Sequence, residues 1–195
     1  ANKLMDAAFV DRLDDQIGRS SIVMSVLELP VAAAARAMAH GRRHGVRTIL
    51  NPAPAAPLDD DVLANVDYLT PNETELRILM GLAPNDPTPT ERLAATLKAR
   101  GVGTLIVTLG EKGALLFAGD GPIHVPAVSV DVVDTTGAGD AFNAGLAVAL
   151  AEGWDLLAAV KFANCSGALA CTRLGVVPAL AGRDDVDGLY RRHFA

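Results

Sequence analysis

The sequence predicts an α/β protein with a mostly parallel central sheet and an antiparallel edge. Half of the 195 residues are hydrophobic but only 4% are aromatic. The core is therefore drawn from Ala, Val, Leu and Ile, the usual material of buried parallel strands and packed helices. Short apolar runs alternate with helical stretches as far as residue 103, and that alternation implies parallel strands joined by crossovers. After residue 104 the spacing tightens, and extended segments follow one another too closely for a crossover between them. The length suits one domain over residues 1–195.

Taken in order, Ile22 to Leu27 reads as a buried strand, and Pro30 opens an alanine-rich helix that runs to His44 and closes at Gly45. Thr48 to Leu50 is a second strand, and the three prolines of "NPAPAAPL" mark the loop behind it. Val66 to Leu69 is a third strand and Glu73 to Met80 a short helix. Thr88-Pro89-Thr90-Glu91 has the form of a capping box with proline at the first helical position, opening a helix that reaches Arg100. "TLIVTLG" is a fourth strand. "ALLFAG" and "IHVPAVSVDVVD" then supply extended segments that pair antiparallel at one edge. Two long helices, Ala138 to Glu152 and Asp155 to about Cys171, follow them.

A net charge of −6 and the lack of any Lys/Arg-rich run argue against nucleic acid or an anionic membrane as partner, since both need a basic footprint. No apolar run approaches the ~18 residues of a membrane span, and no secretion signal is read at the start, so a soluble, cytoplasmic protein acting on small molecules is expected. Cys165 and Cys171 have no second pair or nearby histidine to complete a metal site and read as reduced packing residues. His40 and His44 share a helix face, yet the glutamate of a zinc helix is missing. The expectation is a solvated basic face with Arg42, Arg43 and Arg47.

The chemistry concentrates in "DTTGAGDAFNAGLAVAL", Asp134 to Leu150. A glycine-bearing turn opening a helix near Ala138 gathers unpaired backbone N–H groups, and the helix dipole adds partial positive charge there. Gly137 and Gly139 let a phosphate approach the main chain. Asp140 is the odd member, because a carboxylate repels phosphate unless something there loses a proton as phosphate is transferred. The plain alternative is an acid complementing the dipole beside a turn glycine. Gly101-Val102-Gly103 lacks the third glycine and the helix of a dinucleotide site, and no lysine-bearing phosphate loop occurs.

The run "VDTTGAGDAFNAGL" resembles the second signature of the ribokinase (PfkB) family of carbohydrate kinases. "LNPAPA", "TPNETE", "VTLGEKGA" and "CTRLGVVPAL" arrive in that family's order, closer to the ribokinase branch than to fructokinases, adenosine kinases or 2-keto-3-deoxygluconate kinases. The resemblance implies a three-layer α/β/α fold. It also implies that the family's first third, with the glycine-rich sugar signature and the lid through which members dimerise, has no counterpart here. The expected consequences are a domain truncated at its N-terminus, an exposed apolar sheet edge and a tendency to associate by other means.

The resemblance further implies ATP-dependent phosphoryl transfer to the 5-hydroxyl of ribose. Asp140 would act as base and touch the sugar, and the amides of Gly137, Ala138 and Gly139 would form the anion hole. Glu28 would touch sugar hydroxyls. Asn72, Thr108, Gly110, Gly113, Gly139 and Asn164 would meet ATP, with Glu75 acting indirectly on Mg²⁺. Asp134, Thr136, Ala170, Arg173, Gly175 and Ala179 would hold a monovalent cation, K⁺, mostly through carbonyls, although the family often has serine at the position of Ala179. By themselves Glu28 reads as a loop acid, Asn72 as an N-cap, and Thr108 to Gly113 as a turn. Another sugar or nucleoside kinase and an inactive nucleotide-binding remnant are the competing functions.

Overall fold

A computed structural model describes residues 2–119 and 121–194. The chain divides into two compact units, Ala1–Val107 with Phe117–Pro122 and Thr108–Leu116 with Ile123–Ala195.

The first unit opens on two short helices, α1 (Ala7–Asp11) and α2 (Asp14–Gly18), followed by β1 (Ile22–Val26), α3 (Val31–His44) and β2 (Arg47–Asn51). Next come α4 (Asp60–Leu63), β3 (Tyr68–Leu69), α5 (Glu73–Leu79), α6 (Thr90–Lys98) and β4 (Thr104–Thr108). All neighbouring pairs from β1 to β4 are parallel, with Met24 opposite Ile49, Ile49 opposite Tyr68 and Tyr68 opposite Thr104. Ile49, Leu50, Leu69, Leu105 and Ile106 have no exposed surface. Each such side chain contributes about 1.5–3 kcal/mol through burial.

β3 is shorter than the expected Val66 to Leu69. Side chains replace the main-chain ladder at its start, where the Asp67 N–H donates to Thr48 Oγ1 and the Thr48 N–H donates to Asp67 Oδ2. α3 ends as expected, with Gly45 left-handed at φ 68°. The capping box expected at Thr88 is not formed. Pro89 is the N-cap of α6, so Glu91 falls at the second helical residue instead of the third, and the Thr88 N–H donates to Asp86 Oδ1. A capping box does form at α5, between Asn72 and Glu75.

The basic face expected around His40 is also corrected. His40 is only 5% exposed. Its Nε2–H donates to Asp11 Oδ1 at 2.7 Å, and its Nδ1 sits 2.7 Å from Arg43 Nη2 and 2.8 Å from Asp14 Oδ1. Arg36 bonds Asp11, and Arg43 and His44 bond Asp14. These pairs fasten α1 and α2 to α3 around an apolar nucleus of Val10, Ile17 and Ala33. No metal-binding group of three or more His, Cys, Asp or Glu occurs among the described residues.

The second unit contains β5 (Ala114–Phe117) up to Leu116 and β6 (Ile123–Val125), then α7 (Ala138–Ala151), α8 (Leu156–Ala170), α9 (Val176–Ala179) and α10 (Arg183–Phe194). β5 and β6 pair antiparallel, Ala114 opposite Val125, as expected for the edge. The extended stretch after β6 makes no further strand, in keeping with Pro126, which has no N–H to donate. α7 and α8 are held close by missing side chains: a Cβ on Gly145 would lie 2.8 Å from Ser166 Cβ, and one on Gly167 would lie 3.1 Å from the Ala138 carbonyl oxygen. Asp155 caps α8 by accepting the Ala158 N–H. α10 is fixed by Arg183, which bonds Glu152 and Asp187, and by Tyr190, whose ring meets Trp154 edge-on at 5.3 Å.

Two expectations follow. Gly113 has φ 93° and ψ −125°, and a Cβ there would overlap the Val125 carbonyl oxygen and the main chain of Pro126 and Ala127. Gly113→Ala is expected to lower stability by about 3 kcal/mol or more in denaturant titrations, combining backbone strain with overpacking; an unchanged midpoint would contradict this packing. Asp11 and Asp14 are held below the usual carboxylate range, first by hydrogen bonds from His40 and His44 respectively. Their stabilisation is present above the unfolded value of about 3.9 and is lost as pH falls through the lower folded value. Asp14→Asn should thus depress the melting temperature near neutral pH and converge with the parent once pH falls below the lowered folded value, whereas a difference that persists in strong acid would rule out the charge clamp.

Candidate functional site

The turn before α7 is organised by one carboxylate. Asp134 Oδ1 accepts the Thr136 N–H at 2.9 Å and the Thr136 hydroxyl at 2.7 Å, while Oδ2 accepts the Gly175 N–H at 3.1 Å. Cys171, at the end of α8, accepts with its carbonyl the N–H groups of Val133 and Asp134 at 2.8 and 3.2 Å. Three hydrogen bonds therefore join residues 133–134 to residues 171–175. The Thr136 hydroxyl, then the Thr136 and Gly175 N–H groups, hold the Asp134 carboxyl below its ordinary range, so it is charged at neutral pH. Gly175 needs its glycine, since φ is 86°.

Gly137 caps α7 in the left-handed conformation, φ 79°, a region that side chains avoid, and a Cβ there would also press on Val176 at 3.0 Å. The Ala138 N–H donates to the Thr135 carbonyl at 3.2 Å, which leaves it less available than expected for an anion hole. Among the described residues, the N–H groups of Gly139 and Asp140 have no partner within the chain. A Cβ at Gly139 would meet nothing within 4 Å, and both Gly139 and Asp140 are exposed. One face of the first turn is therefore open, with two donors at the positive end of a 14-residue helix and one carboxylate beside them.

The remaining expected residues are placed as follows. Ala170 is buried at the last turn of α8, Arg173 is exposed after it, and Ala179 is buried at the end of α9 without a hydroxyl to offer. Thr108 ends β4, and Gly110 is exposed with φ 60° and open space around it. Gly113 does not share that openness, being buried against residues 125–127. The Asn164 side-chain N–H₂ donates to the carbonyls of Val125 and Pro126 at 3.2 and 3.0 Å, which anchors the end of β6 to α8.

Glu28, Asn72 and Glu75 belong to the first unit. Glu28 lies just beyond β1, where it accepts from the Asn2 side chain at 3.4 Å. Glu75 Oε2 accepts the Asn72 N–H and Asn72 Oδ1 accepts the Glu75 N–H, each at 2.8 Å. Burial raises the Glu75 carboxyl above its usual value despite the Asn72 hydrogen bond. The expected N-cap role of Asn72 is thus present in full.

Two residues at the site were not singled out from the sequence. Asn143, 3% exposed, donates from Nδ2 to the Gly139 carbonyl at 2.9 Å, and Gly167 lets α8 approach the Ala138 carbonyl. An asparagine inside an otherwise apolar helix was the available signal for the first. Nothing local marked the second.

A glycine turn that opens a helix with free donors beside an exposed carboxylate has the chemistry to accept an anion. The sequence matches the pfkB family of carbohydrate kinases over residues 17–181, and the chain belongs to that family. It is 37% identical over 176 residues to a deoxyribokinase of Salmonella typhi, covering 90% of this chain and 58% of that protein. It is 36% identical over 189 residues to a ribokinase of Bacillus subtilis, covering 97% and 61%. The crystal structure of a ribokinase from Thermotoga maritima superposes with a TM-score of 0.88 at 32% identity, over 98% of this chain and 63% of that one. Arabidopsis thaliana ribokinase complexed with ribose and ATP gives 0.86 at 32%, over 93% and 59%. The fold is the expected three-layer α/β arrangement, mostly parallel with an antiparallel edge, and the chain spans about three fifths of the length of these relatives. Among the described residues, no helix is long and apolar enough to cross a membrane.

If Asp134 joins the two segments, Asp134→Ala frees the Thr136 and Gly175 amides. Their hydrogen exchange should accelerate by roughly tenfold, the scale of one lost hydrogen bond, while amides in the middle of α8 keep their rates. Unchanged exchange at Gly175 would remove Asp134 from this role.

Proposed function

We propose that this protein is an ATP-dependent carbohydrate kinase that transfers the γ-phosphoryl group to the 5-hydroxyl of D-ribose. The observation that carries the reading is the open first turn of α7, where the exposed Asp140 stands beside the unpartnered N–H groups of Gly139 and Asp140. Family membership and the ribokinases among its relatives support the reaction class.

In this reading the sugar oxygen attacks the γ-phosphorus and the bond to the β–γ bridging oxygen breaks. ADP leaves with that electron pair, and the hydroxyl proton passes to the Asp140 carboxylate. The free amides stabilise the charge spread over the transferred group. A carboxylate is a weak base, but a loose transition state releases the proton late and needs mainly positioning. Leu174 and Val177, 76% and 77% exposed, are sequence neighbours of Gly175 and Val176, which meet Asp134 and Gly137, and form apolar surface of the kind that a ligand covers.

Mg²⁺, when bound with the nucleotide, neutralises phosphate charge. Asn72 and Glu75 are oxygen donors of the hard kind that it prefers, already ordered by their capping box. Thr108 and Gly110 line the nucleotide side in this reading; Gly113 shapes that turn from beneath, and Asn164 supports it through residues 125–126. Asp134, Thr136, Ala170, Arg173, Gly175 and Ala179 would hold K⁺. The charged Asp134 carboxylate and the cross-linked segments suit oxygen ligation, with Ala179 contributing a carbonyl only.

The deoxyribokinase match at 37% identity makes 2-deoxy-D-ribose the competing acceptor. Purified protein assayed for ADP release with each sugar separates these readings. Turnover with ribose supports the proposal, preference for deoxyribose moves the acceptor, and nucleotide binding without turnover with any sugar identifies an inactive remnant. Where turnover is present, Asp140→Asn should lower kcat by about 10²-fold or more with ATP affinity preserved. Near-normal turnover in that variant would take Asp140 out of the mechanism.

A further inference from the structure

We propose that Asn143 is a positioning residue for the phosphate site, locking the Gly139–Asp140 peptide so that its N–H faces the ligand. This rests on the reading of the α7 start as the phosphate site. The Gly139 carbonyl and the Asp140 N–H belong to one rigid peptide plane, so whatever holds the carbonyl aims the N–H. Gly139 itself restrains little: it has no side chain, and the space its Cβ would occupy is empty to 4 Å. The first turn of a helix also has no intrahelical acceptors for its N–H groups, which makes it the turn most prone to fray.

Asn143, one turn further along, supplies what is missing. Its buried side chain donates from Nδ2 to the Gly139 carbonyl oxygen at 2.9 Å. That bond adds to the ordinary helical one and pins the carbonyl toward the helix body, which points the Asp140 N–H outward. Donation to the carbonyl also polarises the shared peptide and strengthens its N–H as a donor. Behind it, Gly137 accepts the Ala141 N–H at 2.9 Å, and Gly167 of α8 lies against the Ala138 carbonyl, so the residues on either side of this peptide are held as well while its donor stays free.

The test compares Asn143→Ala with Asn143→Ser in the whole chain. The two side chains differ by one oxygen, and a helical serine can donate back to the carbonyl four residues earlier, restoring the bond that alanine removes. The Asp140 amide resonance of the ligand-free protein is followed by NMR, and ATP affinity in the presence of Mg²⁺ by calorimetry. In the alanine variant the Asp140 amide should shift upfield and broaden, and ATP affinity should fall about fivefold, the scale of one hydrogen bond. Serine should recover most of both. Equal behaviour of the two variants, or an unperturbed Asp140 amide in alanine, would overturn the proposal. If both variants fail to fold, Asn143→Asp, which keeps the shape and loses the donor, must show the same amide shift or the proposal falls. If the parent protein binds no ATP, the phosphate-site reading fails, while the ligand-free amide comparison still decides whether Asn143 locks the peptide.

Discussion

The first turn of a helix has N–H groups that its own geometry cannot satisfy, and in this protein α7 leaves two of them, at Gly139 and Asp140, without a partner among the described residues. That shortage is a cost in an ordinary protein and an opportunity at a ligand site, and much of the second unit arranges the turn that presents it. Gly137 takes the left-handed conformation that lets the chain enter the helix, and Asp134 joins the preceding turn to the segment after α8. Glycines at 145 and 167 bring α8 close enough to support the turn from behind. The free donors are thus held by a rigid frame, which is what preorganised charge stabilisation requires.

The frame was partly legible in the sequence, and the reasons differ by element. β1 and β4 are mostly apolar runs and β2 centres on the apolar pair Ile49-Leu50, all between turn residues, and α7 and α8 are long apolar helices, so periodicity and punctuation were sufficient. α10 carries Arg183, Asp184, Asp185, Asp187, Arg191 and Arg192 and a central glycine, and it is stabilised by contacts remote in sequence, Arg183 with Glu152 and Tyr190 with Trp154. No local signal announces that helix. α1 and α2 were missed for a related reason, because the His40 clamp lies some 26 to 29 residues away from the aspartates it binds. The capping boxes show the same lesson at short range: the Thr88 pattern was off by one residue because proline took the cap, whereas Asn72 and Glu75 stood in register.

For the candidate site, side-chain type pointed to the turn before α7 but not to the division of labour within it. Asp134, Thr136 and Gly175 are brought together as a set, and Gly139 and Asp140 are open, as an anion site needs. Ala138 and Gly113 are different, one donating to Thr135 and the other buried against the main chain of residues 125–127. Both belong to motifs named from the sequence, and both make contacts within the chain. Which member of a motif touches a ligand depends on hydrogen-bond partners that the letters do not contain.

The central claim, that the open turn of α7 receives a nucleotide's terminal phosphate, is tested most directly by titrating isotope-labelled protein with ATP and Mg²⁺ while following every backbone amide. The account predicts that Gly139 and Asp140 show the largest downfield proton shifts and that ADP, which lacks the terminal phosphate, moves them far less. Saturable binding that leaves those two amides unmoved, or moves them equally with ADP, would contradict it.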